Sequence, residues 1–381
     1  MKRRVVQHIL MENSKKGAAK EEEVKINNKN KNELLKDIKS VLNKLNKDYG
    51  ENAVVQGSAF SKQRTVRRIP TGSVELDARL GGGVPLGRLS LISGAYSSSK
   101  TTQALHIIRN AQKMGLVCAI FDVEGTIDNE YMQTLGIDTD LIVYVRPKGF
   151  EECTQMILDM EKQGIVNVAL LDSIAVLEPT KVLNSEMEDT VQMGTKQKLS
   201  GEFLAKYQSL NNGLEREEKT PFTLIAINQV REKIGGYGDP EFLPGGRAWG
   251  FYASLDLRLR RGDWITEGKG DDKEFVGQVV KFKVEKNKTY KRMQSGEFDF
   301  YFADNNAGIN EGHNDNFKSI VMLGIDYELI EQGGAWYYLN KDTENEMKFQ
   351  GVVKLLEYLR ENPHLVEEMK ARILEIDNSS K

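Results

Sequence analysis

Arg88–Gly115 reads RLSLISGAYSSSKTTQALHIIRNAQKMG and changes character twice. RLSLIS is a short apolar run with the length of a buried strand, and TTQALHIIRNAQKMG spaces its apolar residues as a helix does. Between them, Gly94-Ala95-Tyr96-Ser97-Ser98-Ser99-Lys100-Thr101 follows the strand and opens the helix. It fits the phosphate-loop spacing G-x-x-x-x-G-K-[ST], except that Ser99 stands where the pattern has its second glycine. Such a loop curls backbone N–H groups around phosphate, reaches the outer phosphates with a lysine and sets a hydroxyl on Mg²⁺. Serine supplies the N–H but adds a Cβ where backbone and phosphate approach closely. On this stretch alone, a serine-rich strand–helix turn competes with a nucleotide site.

The flanking sequence repeats the strand–helix alternation. LVCAIFDVE (116–124), LIVYVRP (141–147), VNVALLDS (166–173) and FTLIAINQV (222–230) read as buried strands, and FEECTQMILDMEKQG (150–164) reads as a helix. Strands apolar on both faces and separated by helices predict a mostly parallel α/β sheet. SLDLRLRR (254–261), QVVKFKVEKNK (278–288) and GEFDFYFA (296–303) have fewer helices between them and read as antiparallel additions. Asp172 tips one strand, where a carboxylate can hold Mg²⁺ through water. Glu124 lies just past another and can polarise an attacking water as general base. Asn228-Gln229 ends a third with amides able to sense a γ-phosphate. Open α/β sheets bind ligands at the carboxyl ends of their strands, so these ends together predict an ATP site with Mg²⁺.

The chain has 381 residues, 53 Lys+Arg, 56 Asp+Glu and 39% hydrophobic residues, enough for a real core in two or three domains. No run of eighteen apolar residues exists, which predicts no membrane segment and a cytoplasmic protein. Cys118 and Cys153 cannot make a disulfide framework or a four-cysteine zinc site. Residues 1–68 hold 17 Lys+Arg against 8 Asp+Glu, a charge of +9, which leaves −12 for the rest. The near-neutral total therefore does not exclude an anionic partner, because local fields decide. Residues 1–30 read as a disordered polar tail. ELLKDIKSVLNKLNKDYG (33–50) reads as an amphipathic helix ending at Gly50. Near the C-terminus, FKSIVMLGIDYELIEQ (317–332) and GVVKLLEYLRENPHLVEEMKARILEI (351–376) read as two helices flanking GAWYYL (334–339).

IPTGSVELDARLGGGVPLGRL (69–89), FDVEGTID (121–128), LLDSIA (170–175), INQVREKIGG (227–236), PGGRAW and FYAS (244–254), KVEKNK (283–288) and GAWYYL share an order as well as a composition. From about Lys31 to Ile376 the chain resembles the RecA-type homologous-recombination ATPases. The resemblance implies a RecA-like P-loop ATPase core, an N-terminal polymerisation helix and a small C-terminal α+β domain. The division it suggests is a tail at 1–30, an oligomerisation helix and linker at 31–68, the core at 69–304, the C-terminal domain at 305–377 and a tail at 378–381. It implies an ATP-dependent helical homo-filament on single-stranded DNA that pairs with homologous double-stranded DNA and exchanges strands. Single-strand-binding and mediator proteins are its accessory partners, and the nucleoid its place in the cell. Residue by residue, Lys100, Thr101 and Thr102 match the phosphate loop, Glu124 the catalytic glutamate, Asp172 the Mg²⁺-linked aspartate and Gln229 the glutamine coupling ATP to DNA. Asp128 and Tyr131 match the residues at adenine, and Lys286 and Lys288 match lysines that reach a neighbouring subunit's ATP. Residues 186–198, with Met193, Gly194 and Lys198, correspond to a first DNA loop. Residues 231–247, with Arg231, Ile234, Gly245 and Gly246, correspond to a second. Arg260, Arg261, Lys281 and Lys283 match a second DNA site, and Phe251 an interface aromatic.

The chain departs from the pattern at Ser99, in the lengths of both loops, at Arg247 and Trp249, and in lacking an acidic tail. These departures suggest a diverged, virus-encoded member. Read without the resemblance, the Gly- and Pro-rich second loop suits a strand's phosphates and bases, or is a plain surface loop. The basic run Lys281–Arg292 is a DNA face or a solvated one. Two other functions use the same residues. A hexameric helicase-like motor would form closed rings, and a DNA-coating protein without hydrolysis would release no phosphate.

Overall fold

The structure, a computed structural model, describes residues 31–58, 66–186, 194–232 and 241–379. The expected tail at 1–30 lies outside them, as do Met193, Ile234 and the last two residues. The chain divides into two compact units, Met1–Thr65 and Val66–Lys381. In the first, helix α1 covers 31–49 and stops at Gly50, whose φ of +94° suits a residue without a Cβ. Asn46 fastens the chain beyond the helix through reciprocal 2.9 Å bonds with the backbone of Val54. Of its apolar stripe, Leu34, Ile38 and Val41 are 54%, 42% and 55% exposed, and Leu42 and Leu45 are partly buried.

The second unit is built on a nine-stranded sheet. Its strands are β1 (Leu89–Gly94), β2 (Cys118–Asp122), β3 (Ile142–Val145), β4 (Val168–Asp172), β5 (Thr223–Gln229), β6 (Leu255–Glu267), β7 (Glu274–Asn287), β8 (Ser295–Tyr301) and β9 (His313–Asn314). They lie in the order β9-β8-β7-β6-β1-β5-β4-β2-β3. From β6 to β3 all neighbours are parallel, and β7, β8 and β9 add antiparallel. The helices that concern the sheet are α2 (Val74–Leu80), α3 (Lys100–Lys113), α4 (Asn129–Thr134), α5 (Phe150–Gln163), α6 (Thr195–Arg216) and α7 (Ala248–Tyr252).

The period of two along each strand splits the core into layers. On β4, Val168 and Leu170 join the α3 side with Leu105, Ile108 and Ala111. Ala169 and Leu171 join the α5–α6 side with Ile157, Phe203 and Tyr207. Central strands are therefore buried on both faces, and VALL is apolar throughout while LSLIS admits only the small Ser90 and Ser93. A third core gathers α8 (Asn316–Asp326), α9 (Val352–Glu361) and α10 (Pro363–Ser379), together with Val74 and Ala78 of α2. It is flanked by a three-stranded antiparallel sheet of Ile330–Gly333, Trp336–Leu339 and Met347–Gln350.

Four local expectations need correction. SLDLRLRR is not an antiparallel addition, because β6 pairs in parallel with β1 and only its other edge takes the antiparallel β7. LIVYVRP is not buried: β3 is the sheet edge, with Val143 39% and Tyr144 36% exposed. The helix expected through 332 ends at Asp326, and Ile330–Gly333 is a strand. The single long C-terminal helix breaks at Asn362, and Pro363, which has no N–H to offer, opens the next helix. Helix α6, 22 residues long, was not anticipated.

Candidate nucleotide and nucleic-acid site

The parallel order brings β1, β5, β4 and β2 side by side. Their carboxyl ends, at Gly94, Gln229, Asp172 and Asp122, line one edge about 14 Å long at ~4.8 Å per strand. Gly94 closes β1 against β6, and a Cβ there would sit 2.2 Å from the Leu259 carbonyl oxygen, so only glycine fits. The chain then curls. Ser97 and Ser99 take φ of +55° and +60°, and α3 begins at Lys100. Ser99 is thus unusual for its left-handed backbone more than for its bulk, a conformation that costs a residue with a Cβ about 1–2 kcal/mol. Ser98 Oγ donates to Ala95 O at 2.8 Å, and Lys100 Nζ donates to the same oxygen at 2.6 Å. Burial lowers the Lys100 pKa, while Asp172 and Glu124 act in the opposite sense.

Thr101 Oγ1 donates to Asp172 Oδ2 at 2.7 Å. Burial raises the Asp172 carboxyl to about 6 against that hydrogen bond, and the charges of Glu124 and Asp122 push it the same way. One hydroxyl and one carboxylate at a helix N-terminus fit Mg²⁺, which takes its remaining ligands from phosphate and water. No all-protein cage of three or more His, Cys, Asp or Glu exists among the described residues. Glu124 Oε1 accepts from Ser173 Oγ and from Gln229 Nε2, both at 2.6 Å. Asp128 caps α4 by accepting from Tyr131 N at 2.9 Å, and the Tyr131 hydroxyl meets Thr102 Oγ1 at 3.0 Å. Thr101 is thus bonded to Asp172, Glu124 to Gln229, and Thr102 to Tyr131, at or next to the carboxyl ends of these strands, while Tyr96 stands 79% exposed.

Three residues of this edge escaped the sequence reading. Asp122 accepts from Gly125 N, Thr126 N and Ile127 N, and from the Tyr144 hydroxyl, so it shapes the loop carrying Glu124. Its signal was an Asp three residues before a glycine at a strand end. Ser173 needed the fold to bring it to Glu124. Gln278 lies over a hundred positions from the loop it touches, with Nε2 donating to Ser97 O at 3.1 Å and Ser99 Oγ at 2.7 Å.

Lys286 Nζ donates to the carbonyls of Gly250 and Phe251 at 2.7 and 2.8 Å. Burial and the charge of Lys288 lower its pKa. Neither lysine is hydrogen-bonded to the phosphate site among the described residues. Phe251 is 73% exposed. Trp249, a departure from the family pattern, is fully buried beside Phe203 and donates to Ser200 Oγ at 3.1 Å, so its bulk is core.

Among the loop residues, Gly194 (φ +94°) caps α6 and Lys198 is exposed in its first turn. Arg231 opens a two-residue ladder with Phe242, the stem of the second loop, two positions beyond Gln229. Gly245 and Gly246 have φ of +85° and +81°, and a Cβ on Gly246 would lie 2.7 Å from Gln197 Cγ. The end of the second loop thus lies against the start of α6. Register pairs Arg258 with Lys283 and Arg260 with Lys281 across β6 and β7. Opposed like charges destabilise a sheet unless an anion offsets them, and here Lys283 Nζ already donates to the Glu285 carboxylate at 3.0 Å. Arg261 does not join them: it lies opposite Val280, beside a bulge, with its guanidinium 4.7 Å from the Trp264 ring centre.

Comparison with known proteins accords with this geometry. The RecA N-terminal domain matches residues 36–309 and the RecA C-terminal domain residues 318–376. The chain belongs to the RecA family. It is 35% identical to Protein RecA of Heliobacterium modesticaldum over 342 residues, 89% of this chain and 92% of that one. With Protein RecA of Cutibacterium acnes it shares 36% identity, over 89% of this chain and 91% of the relative. Protein RecA of Acidothermus cellulolyticus is 37% identical over 81% of this chain and 83% of its own length. The large, mostly parallel sheet flanked by helices and the small C-terminal part with its antiparallel strands accord with those two matched domains.

Proposed function

We propose that this RecA-family chain is a DNA-dependent ATPase that assembles as a helical filament on single-stranded DNA and carries out homologous pairing and strand exchange in recombination and repair. The observation that carries the reading is the pair of bonds on Glu124 Oε1. One donor, Gln229, is the last residue of β5, and the stem of the second DNA loop starts at Arg231. The carboxylate suited to activate water is thereby tied to the root of a DNA-binding loop.

In this reading the curled backbone of residues 94–99 and Lys100 hold the phosphates, Thr101 and Asp172 hold Mg²⁺, and Asp128 and Tyr131 receive the adenine. Glu124 takes the proton of the attacking water, and Gln229 reports the γ-phosphate to residues 231–247. Lys198, Arg231, Gly194, Gly245 and Gly246 face the primary strand, and the resemblance assigns Met193 and Ile234 to the same role. Arg260, Lys281 and Lys283 face the duplex, with Arg261 at its margin. The exposed Leu34, Ile38 and Val41 of α1 support self-assembly. No helix among the described residues is long and apolar enough to cross a membrane. We assign the protein to the cytoplasm at the nucleoid, with single-strand-binding and mediator proteins as partners and a viral gene as its source, and with an oligomerisation part at 31–68, a core at 69–304 and a C-terminal domain at 305–377.

A strand-exchange assay with ATP, ADP and a slowly hydrolysed analogue tests the function. DNA binding is expected to require ATP and to fall steeply as salt rises, because neutralised phosphates release counterions. Closed rings in electron micrographs would favour a helicase-like motor. Absence of phosphate release on DNA would favour a coating protein. Equal affinity in ATP and ADP would contradict the switch.

A further inference from the structure

Gln278 stands on β7 with Val280 and Phe282, on the side of the strand that faces the core, and is 4% exposed. Its Nε2 donates to Ser99 Oγ at 2.7 Å and to Ser97 O at 3.1 Å. A primary amide nitrogen has two hydrogens, and both are spent here on one loop. The two residues it holds are the loop's two non-glycine residues with positive φ. Glycine enters that region without steric cost, whereas serine does not. Ser99 is also the residue by which this loop departs from the phosphate-loop pattern. Three and five positions further along the same strand come Lys281 and Lys283 of the basic face.

We propose that Gln278 is a positioning residue of the nucleotide site: its amide holds Ser97 and Ser99 in the curve that exposes the loop N–H groups, and it joins that loop to the strand bearing the DNA-facing lysines. The inference rests on the reading of the loop as an ATP site. A loop with glycine in place of Ser99 needs less help to keep its curve, so the serine and the glutamine are a coupled pair. The carboxamide touches no atom that reacts and acts through the loop alone.

Gln278→Met keeps the length and bulk of the side chain but cannot donate. The test titrates full-length protein with a fluorescent ATP analogue and Mg²⁺, and follows amide hydrogen exchange across residues 95–100. Gln278→Met is expected to raise the analogue's Kd about tenfold, or 1.4 kcal/mol, as the loss of one or two neutral hydrogen bonds does. Exchange in the loop quickens, while kcat at saturating ATP on single-stranded DNA changes less than about threefold. In a Ser99→Gly background the same substitution is expected to raise Kd only about threefold or less. Unchanged Kd and exchange overturn the inference. An equal rise in both backgrounds also overturns it, since it makes Gln278 ordinary packing. Failure of the wild-type chain to bind the analogue overturns the ATP reading itself, whereas tight wild-type binding with an indifferent Gln278→Met overturns this inference alone.

Discussion

Ser173 Oγ and Gln229 Nε2 converge on Glu124 Oε1 at 2.6 Å, so two neutral donors orient the carboxylate beside Asp172 and Lys100. Glu124→Gln preserves the shape and still offers an acceptor to both donors, but it cannot take a proton. Hydrolysis is expected to fall about 10²–10⁴-fold, the usual contribution of a general base, with analogue binding altered less than about threefold. Steady-state phosphate release on single-stranded DNA checks the first expectation and equilibrium titration the second. Near-normal turnover would move the base elsewhere. Asp172 and Glu124 were legible in the sequence because each stands at or just past the end of an apolar run, and Lys100 and Thr101 because they close the phosphate-loop spacing that begins at Gly94. Ser173 and Gln278 were not, because nothing local distinguishes them: their partners come from chain segments 49 and about 180 residues away.

Helices α5 and α6 show both sides of this legibility. FEECTQMILDMEKQG announces α5 by its periodicity. In α6 the apolar residues Leu199, Phe203, Leu204, Tyr207, Leu210 and Leu214 keep helical spacing, but Gly201, Gly213 and two asparagines weaken the local propensity. Packing against α5 and β5 decides the outcome, as the shared core of these elements shows. On α5, against α6, lies Glu161, fully buried, with neither carboxylate oxygen hydrogen-bonded among the described residues. Burial raises its pKa to about 8, the charge of Lys162 opposes this only in part, and Tyr207 faces it from α6. The unfolded group titrates at 4.5. The folded state therefore binds the extra proton between pH 4.5 and about 8, and this group's contribution to stability falls as pH rises through that window. Glu161→Gln removes the titration. Its melting temperature is expected to match the wild type near pH 5 and to exceed it near pH 8.5. The ceiling is roughly 4–5 kcal/mol at 1.36 kcal/mol per pH unit, less any relief from water entering the site. Thermal melts across pH 5–9 check this, and a gap that does not change with pH would refute it.

The whole molecule displays groups that one chain does not satisfy. Leu34, Ile38 and Val41 of α1 are exposed, Phe251 is 73% exposed, and Lys286 is fixed to the backbone of Gly250 and Phe251 rather than to the chain's own phosphate loop. Lys288 follows one residue after the end of β7 and lowers the Lys286 pKa, so the two ammonium groups share a surface. Positive charge beside an exposed aromatic, offset only in part by Asp256 across the strands, suits a partner's phosphates. In an assembly it would stabilise charge in hydrolysis from across the interface, as an arginine finger does in trans. An exposed strand end guarded by lysines is the competing account, and mixing separates the two. Lys286→Ala with Lys288→Ala is expected to abolish DNA-stimulated turnover while leaving the chain's own phosphate loop intact. Lys100→Ala disables the loop and leaves the lysines. Neither protein alone hydrolyses ATP, but co-assembled they regain part of the activity, because some interfaces pair an intact loop with intact lysines from the neighbour. Phosphate release as a function of mixing ratio, with co-assembly confirmed by cross-linking, gives the measurement: activity should peak at intermediate ratios and vanish at both ends. A mixture that stays inactive although co-assembled, or a double mutant that turns over normally by itself, would return the lysines to the role of edge protection.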